Sequence, residues 1–150
     1  MSIDAFPLCW PEGWPRHRGA REHGYFQGTP GQVTEELIAE IDRLVLGKES
    51  RTHTFRESII ISTDIPLRKD GFPRADGRPP LDPGVAVYFE RNGKQQCFAC
   101  DKYDRVWKNM RAIQRTIEAL RGIERWGSSE MLDRAFTGFA ALPAPGAKKP

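Results

Sequence analysis

The chain has 150 residues, 39% of them hydrophobic and 29% charged, with a formal net charge of +3. A chain of that length suits one domain with a sizeable buried core, and this balance of apolar and charged residues excludes a disordered polyelectrolyte. No apolar run approaches the roughly 18 residues of a membrane span, and Met1-Ser2-Ile3-Asp4-Ala5-Phe6-Pro7 lacks the basic and apolar segments of a secretory signal, so a cytoplasmic location is expected.

Residues 1–28 carry Phe6-Pro7, Trp10-Pro11 and Trp14-Pro15, followed by the basic stretch Arg16-His17-Arg18-Gly19-Ala20-Arg21. A residue before proline is pushed out of the α region, which predicts an extended strap rather than a helix. Its large rings, Trp10 and Trp14 above all, either pack onto the core or form a patch facing a partner. Thr29-Pro30-Gly31-Gln32 then reads as a capping box with proline at the first helical position. Val33, Leu37, Ile38, Ile41, Leu44 and Val45 recur at helical spacing, which predicts a helix over 30–46 that Gly47 can close.

Residues 57–65 are rich in β-branched side chains and end at Pro66, as expected of a strand buried on both faces. A turn-rich connection follows from Pro66 to Gly84, long enough to suggest a functional loop. Val85–Arg91 and Lys94–Cys100 flank Asn92-Gly93, a strong signal for a two-residue hairpin turn. That turn fixes the register, placing Arg91 opposite Lys94, Tyr88 opposite Cys97 and Val85 opposite Cys100. Val85, Val87, Phe89, Phe98 and Cys100 then share one face, the one helices should cover.

A second long helix is predicted over 103–121 from the stripe Tyr103, Val106, Trp107, Met110, Ile113, Ile117 and Leu120, with Gly122 ending or bending it. Ser128 or Ser129 can cap a short third helix bearing Met131, Leu132, Ala135 and Phe136. Residues 143–150 have the composition of a flexible tail, leaving 1–142 as one globular domain. The order predicts an α+β fold: a small, mainly antiparallel three-stranded sheet with a central hairpin, two long helices and a short third helix packed on one face.

Catalytic and metal-binding patterns are sparse. Three cysteines, an odd number without an export signal, predict reduced thiols. Cys97 and Cys100 have half a zinc-knuckle spacing, but an odd separation along a strand points them to opposite faces, so no metal is expected. Asp64, Asp70, Asp76 and Asp82 read as turn caps rather than a calcium loop. His17, His23 and His53 belong to no nucleophile motif, and neither a phosphate loop nor a dinucleotide fingerprint occurs, so no cofactor is expected. The element order resembles the core of restriction-type nucleases. Asp82 suits the first acid of such a site, but Gln95-Gln96-Cys97-Phe98-Ala99 lacks the acid-x-lysine pair, and Glu90 and Lys94 lie across the turn.

Charge on the second long helix is one-sided. Lys102, Arg105, Lys108, Arg111 and Arg115 fall away from the apolar stripe, with only Asp104 and Glu118 nearby, and Arg121 and Arg125 continue the trend. The spacing of Lys108, Arg111 and Arg115 predicts clustered charged ends on a free side. One predominating sign suits an anionic partner, either nucleic acid or an acidic protein surface; a plain solvated face is the alternative.

Four stretches together carry a family resemblance: Phe6-Pro7-Leu8-Cys9-Trp10-Pro11-Glu12-Gly13-Trp14-Pro15-Arg16, Ile61-Ser62-Thr63-Asp64-Ile65-Pro66-Leu67-Arg68, Asp82-Pro83-Gly84-Val85-Ala86-Val87-Tyr88-Phe89 and Ile117-Glu118-Ala119-Leu120-Arg121-Gly122-Ile123-Glu124-Arg125-Trp126-Gly127. They resemble the N-terminal region of J-domain-containing proteins of bacterial phages, plasmids and integrative elements, over nearly everything except about 17–56. In those relatives a J domain follows the segment matching Leu142-Pro143-Ala144-Pro145. This chain carries no His-Pro-Asp tripeptide, so co-chaperone activity does not transfer. The resemblance implies a mobile-element accessory protein. The expectation is a non-enzymatic binding protein that docks on nucleic acid or on a host nucleic-acid-handling complex, an anti-defence inhibitor of anti-CRISPR type being one form. A degenerate or unconventional metal-dependent nuclease and a chaperone-system adaptor are the alternatives; the oligomeric state is left open, a homodimer among the options.

Overall fold

The computed structural model describes residues 3–46, 58–126, 129–137 and 139–140. Its elements are α1 (Pro30–Leu46), β1 (Ile60–Ser62), β2 (Val85–Arg91), β3 (Lys94–Cys100), α2 (Val106–Arg125) and α3 (Ser129–Thr137). The fold is α+β, with a three-stranded antiparallel sheet ordered β1-β2-β3. Among the described residues no helix is long and apolar enough to cross a membrane. Gly47, His53, Ser128 and the 143–150 tail lie outside the described residues.

The hairpin has the expected register, Val85 opposite Cys100 and Arg91 opposite Lys94. Its turn depends on left-handed backbone at Asn92 (φ 53°) and Gly93 (φ 75°), conformations that asparagine and glycine tolerate best. Val85, Val87, Phe89 and Phe98 point into the main core, where they meet Val33, Leu37, Ile41, Met110, Ile113 and Ile117 of the helices. Ala86, Tyr88 and Cys97 form a second cluster on the opposite face, covered by Leu8 and Trp14 of the strap. Strand alternation therefore divides two layers between two coverings.

β1 is much shorter than the nine residues its β-branched run suggested. Beyond Ser62 the chain leaves the ladder because the strap takes over its hydrogen bonding. Thr63 N–H donates to the Ala5 carbonyl at 3.0 Å, and the Ser62 hydroxyl donates to the Asp4 carbonyl at 2.7 Å. α1 begins as expected, the Gln32 N–H donating to the Thr29 hydroxyl at 3.3 Å, but the Gln32 amide turns to Glu36 instead of closing the capping box.

α2 is shifted relative to expectation, starting at Val106 and running through Gly122 to Arg125. At its start, Glu22 pairs with Tyr103 in a parallel bridge that keeps residues 102–104 extended. Buried Asn109 holds the same corner, accepting from Tyr103 N–H at 2.9 Å and donating to the Pro83 carbonyl at 2.8 Å. α3 buries Leu132 and Phe136 but leaves Met131 largely exposed. Just past it, Phe139 stacks on Phe98 at 4.4 Å, and its carbonyl accepts from Cys97 N–H at 3.2 Å at the outer edge of β3.

Candidate functional site

The basic residues of α2 and of the segment leading into it divide into two sets. Lys108 and Arg111 are only 5% and 6% exposed. Lys108 Nζ donates to the His23 carbonyl at 2.7 Å and to Asp104 Oδ1 at 2.8 Å. The Arg111 guanidinium holds the Glu36 carboxylate of α1, the Gln114 side-chain oxygen at 2.6 Å and the Gln27 carbonyl at 3.0 Å. The expectation that Lys108, Arg111 and Arg115 form one free positive strip is therefore corrected. Strap residues 22–28 lie against this side of α2, and a buried cation is tolerable only where carbonyls and carboxylates replace its water.

Arg105 and Arg115 stay exposed. Arg105 Nη1 donates to the Asp104 carbonyl at 3.1 Å, and Arg115 reaches Glu118 at 3.1 Å in a pair open to solvent on both sides. Such a pair contributes little and is readily exchanged for an external anion. Lys102 lies apart, paired with Glu22 at 3.2 Å. Arg121 meets the buried Glu40 carboxylate at 2.9 Å, tying α2 to α1.

The two buried cations grip the strap on either side of Tyr25, Lys108 through the residue 23 carbonyl and Arg111 through the residue 27 carbonyl. Between those grips the extended chain alternates. Phe26 turns inward and meets the Tyr103 ring edge-on, centroids 4.9 Å apart, while Tyr25 is fully exposed. Gly24 is required here: at φ +67° a Cβ would lie 2.8 Å from the Tyr103 ring. Tyr25 borders two depressions. One, of about 430 Å³, is also lined by His23, Arg105, Trp107 and Lys108. The other, of about 730 Å³, is lined by Gln27, Gln32, Glu36, Gln114 and Arg115, with Arg111 at its base. Lys108, and after it His23, hold the Asp104 carboxyl down at about 2, and the Arg111 hydrogen bond holds Glu36 below the usual carboxylate range.

Trp10 and Trp14, the large rings of the strap, are half-buried and make internal contacts. Trp14 packs on the Ala86–Tyr88–Cys97 face, and the Trp10 indole donates to the Trp14 carbonyl at 2.8 Å with Arg16 4.4 Å above its ring. Arg16 continues to Asp82 at 2.6 Å and to buried Asp101 at 2.8 Å, whose carboxylate also accepts His17 N–H at 3.0 Å. Burial opposes ionisation of Asp82, yet Arg16 and the Gly84 N–H hold it below the usual range.

Comparison with protein-family models, with curated proteins and with solved structures finds no match.

The remaining candidates are placed by geometry alone. Asp82, bound to Arg16 and Gly84, and Glu90, exposed near the hairpin turn, are separated by nearly all of β2, about 20 Å of extended chain, and share no site. Asp64, Asp70, Asp76 and Asp82 each accept a hydrogen bond from the strap or a nearby turn, as Leu8 N–H to Asp64 at 2.8 Å and Phe72 N–H to Asp70 at 3.2 Å show. Cys97 belongs to the strap-covered face and Cys100 packs against the helical core, so the two thiols do point apart. Burial raises the Cys97 thiol to about 11 and Cys100 in the same direction. Among the described residues no three His, Cys, Asp or Glu side chains converge as metal ligands would.

Tyr25 escaped sequence reasoning, since one tyrosine in a polar stretch carries no periodic signal. The available cue was its position between Gly24 and Gly28, glycines that take positive φ where the strap passes close to Tyr103 and Arg111.

Proposed function

We propose that this chain is a non-enzymatic binding protein of a bacterial mobile element that docks on nucleic acid or on a host nucleic-acid-handling complex, in the manner of an anti-defence inhibitor. The docking face is the solvent side of α2 and the adjoining strap, with Arg105 and Arg115 as its charged contacts. One observation carries the reading: the protein neutralises its inner cations with its own carboxylates and carbonyls, but leaves Arg105 and Arg115 exposed on either side of a fully exposed Tyr25 whose backbone segment is clamped. Exposed guanidiniums beside an exposed aromatic ring form a surface suited to an anionic partner with planar or apolar groups. The mobile-element context rests on the resemblance of the four quoted stretches.

The test is affinity capture from a bacterial lysate, with and without nuclease treatment, using the native chain and an Arg105→Glu/Arg115→Glu variant. A specific partner is expected with the native chain at low salt, lost on charge reversal and weakened as salt rises. Equal recovery by both chains would overturn the assignment of this face.

A further inference from the structure

We infer that the anionic partner on this face is single-stranded nucleic acid, its phosphates on Arg105 and Arg115 and a base stacked on Tyr25; this rests on the docking reading above and narrows it. Single-strand binding needs a cationic track together with aromatic faces on which bases can lie. Both occur here in register. The two depressions share Tyr25 and Phe26 as a common wall, so they run on from one another along α2. Arg105 lines the first and Arg115 the second. Arg105 directly precedes α2 and Arg115 lies in its third turn, so about 15 Å along the helix axis separates their positions, several times the ~3.4 Å rise per nucleotide of a stacked strand. A chain of a few nucleotides is thus needed to touch both, with Tyr25 between them.

The aromatic platform is built rather than incidental. Tyr25 is fully exposed while the carbonyls of His23 and Gln27 on either side of it are clamped and the next ring is packed, so the backbone that displays it is held in place. Holding that backbone segment removes the ordering cost that a mobile loop incurs on binding. Trp107, half-buried in the first depression, offers a second face, and together with Arg105 it also borders a cavity of about 90 Å³ beneath the 73–80 loop. That loop brings in Arg78, which pairs with no carboxylate among the described residues. An acidic protein surface would use the arginines but has no need of an isolated, fully exposed ring between them.

The experiment is fluorescence anisotropy with a labelled oligodeoxythymidylate of about 12 nucleotides, its duplex counterpart, and labelled polyglutamate as an anion without bases. Native chain, Tyr25→Ala, Tyr25→Phe and Arg105→Ala/Arg115→Ala are compared, with circular dichroism as the fold control. The single strand is expected to bind more tightly than either competitor, Tyr25→Ala to weaken it about tenfold or more, and Tyr25→Phe to restore it. The double arginine variant should weaken every ligand. Unchanged oligonucleotide affinity in Tyr25→Ala overturns the single-strand inference. So does polyglutamate binding as tightly as the oligonucleotide, which would assign the face to an acidic protein. Both of those outcomes leave the docking face standing provided the arginine variant still binds more weakly. Binding of every ligand unaffected by the arginine variant overturns the face and the inference together.

Discussion

The Lys108 ammonium donates to the His23 carbonyl at 2.7 Å, so a residue that helical spacing assigns to the charged face of α2 acts inside the protein, holding the strap. Arg111 repeats the arrangement one turn further on at the Gln27 carbonyl. The same two contacts that withdraw positive charge from the surface fix the segment displaying Tyr25. Presentation of the aromatic and neutralisation of the inner cations are one structural event.

A difference in stability between neighbouring cations follows. Lys108→Ala and Arg111→Ala each leave buried acceptors without a donor and are expected to lower unfolding free energy by about 2 kcal/mol. Arg105→Ala and Arg115→Ala remove exposed side chains and should stay within about 0.5 kcal/mol of the native chain. Urea denaturation of the four variants measures this. Equal losses in all four would mean that burial does not distinguish the two sets.

Two glycines should respond in opposite directions. Gly24→Ala forces a side chain into left-handed backbone and against the Tyr103 ring, with an expected loss of about 2 kcal/mol. Gly122 lies in α2 with open space where its Cβ would be, so Gly122→Ala should gain roughly 0.5–1 kcal/mol from the helix preference of alanine. Thermal melting distinguishes them, and a stabilised Gly24→Ala chain would contradict the packing described for the strap.

The strap should loosen in acid. Asp104 is held at about 2 by Lys108 and His23, and Asp82 and Glu36 are also lowered. A carboxylate whose folded value is depressed contributes stability that is fully present above its unfolded value, near 3.9 for aspartate, and that is lost as pH falls through the folded value. Tryptophan fluorescence and limited proteolysis between pH 5 and pH 2 should therefore show the strap releasing toward the acid end. Asp104→Asn should make that pH dependence shallower, and an unaltered profile in this variant would rule out Asp104 as a contributor.

The thiols of β3 should be inert in the folded chain. With Cys97 raised to about 11 by burial and Cys100 raised likewise, a thiol-specific reagent at pH 8 should modify them only after unfolding. Purified protein should also hold no stoichiometric zinc through this pair, because the two side chains lie on opposite faces of the sheet. Rapid modification of Cys97 under native conditions, or zinc lost on Cys97→Ser, would contradict the observed register.

Elements whose instructions are local were legible in the sequence. Thr29 and Pro30 set the start of α1, Asn92-Gly93 set the hairpin, and two-residue alternation then settled which of Val85 to Cys100 face the helices. The apolar stripe from Val106 to Ile117 likewise announced a buried helix face. The α2 stripe located the helix without setting its ends, because the start depends on Glu22, some eighty residues away in sequence, pairing with Tyr103.

The candidate site was only half legible. Helical periodicity identified the cations of α2, including Arg105 and Arg115, but periodicity records only which residues share a side and says nothing of what lies against that side. The tertiary structure decided that strap residues 22–28 cover Lys108 and Arg111 and expose Tyr25. The physical reason is the cost of burying a charge: once the strap lies against α2, each cation beneath it must find carbonyl or carboxylate partners, and only those beyond its edges remain available to an external anion.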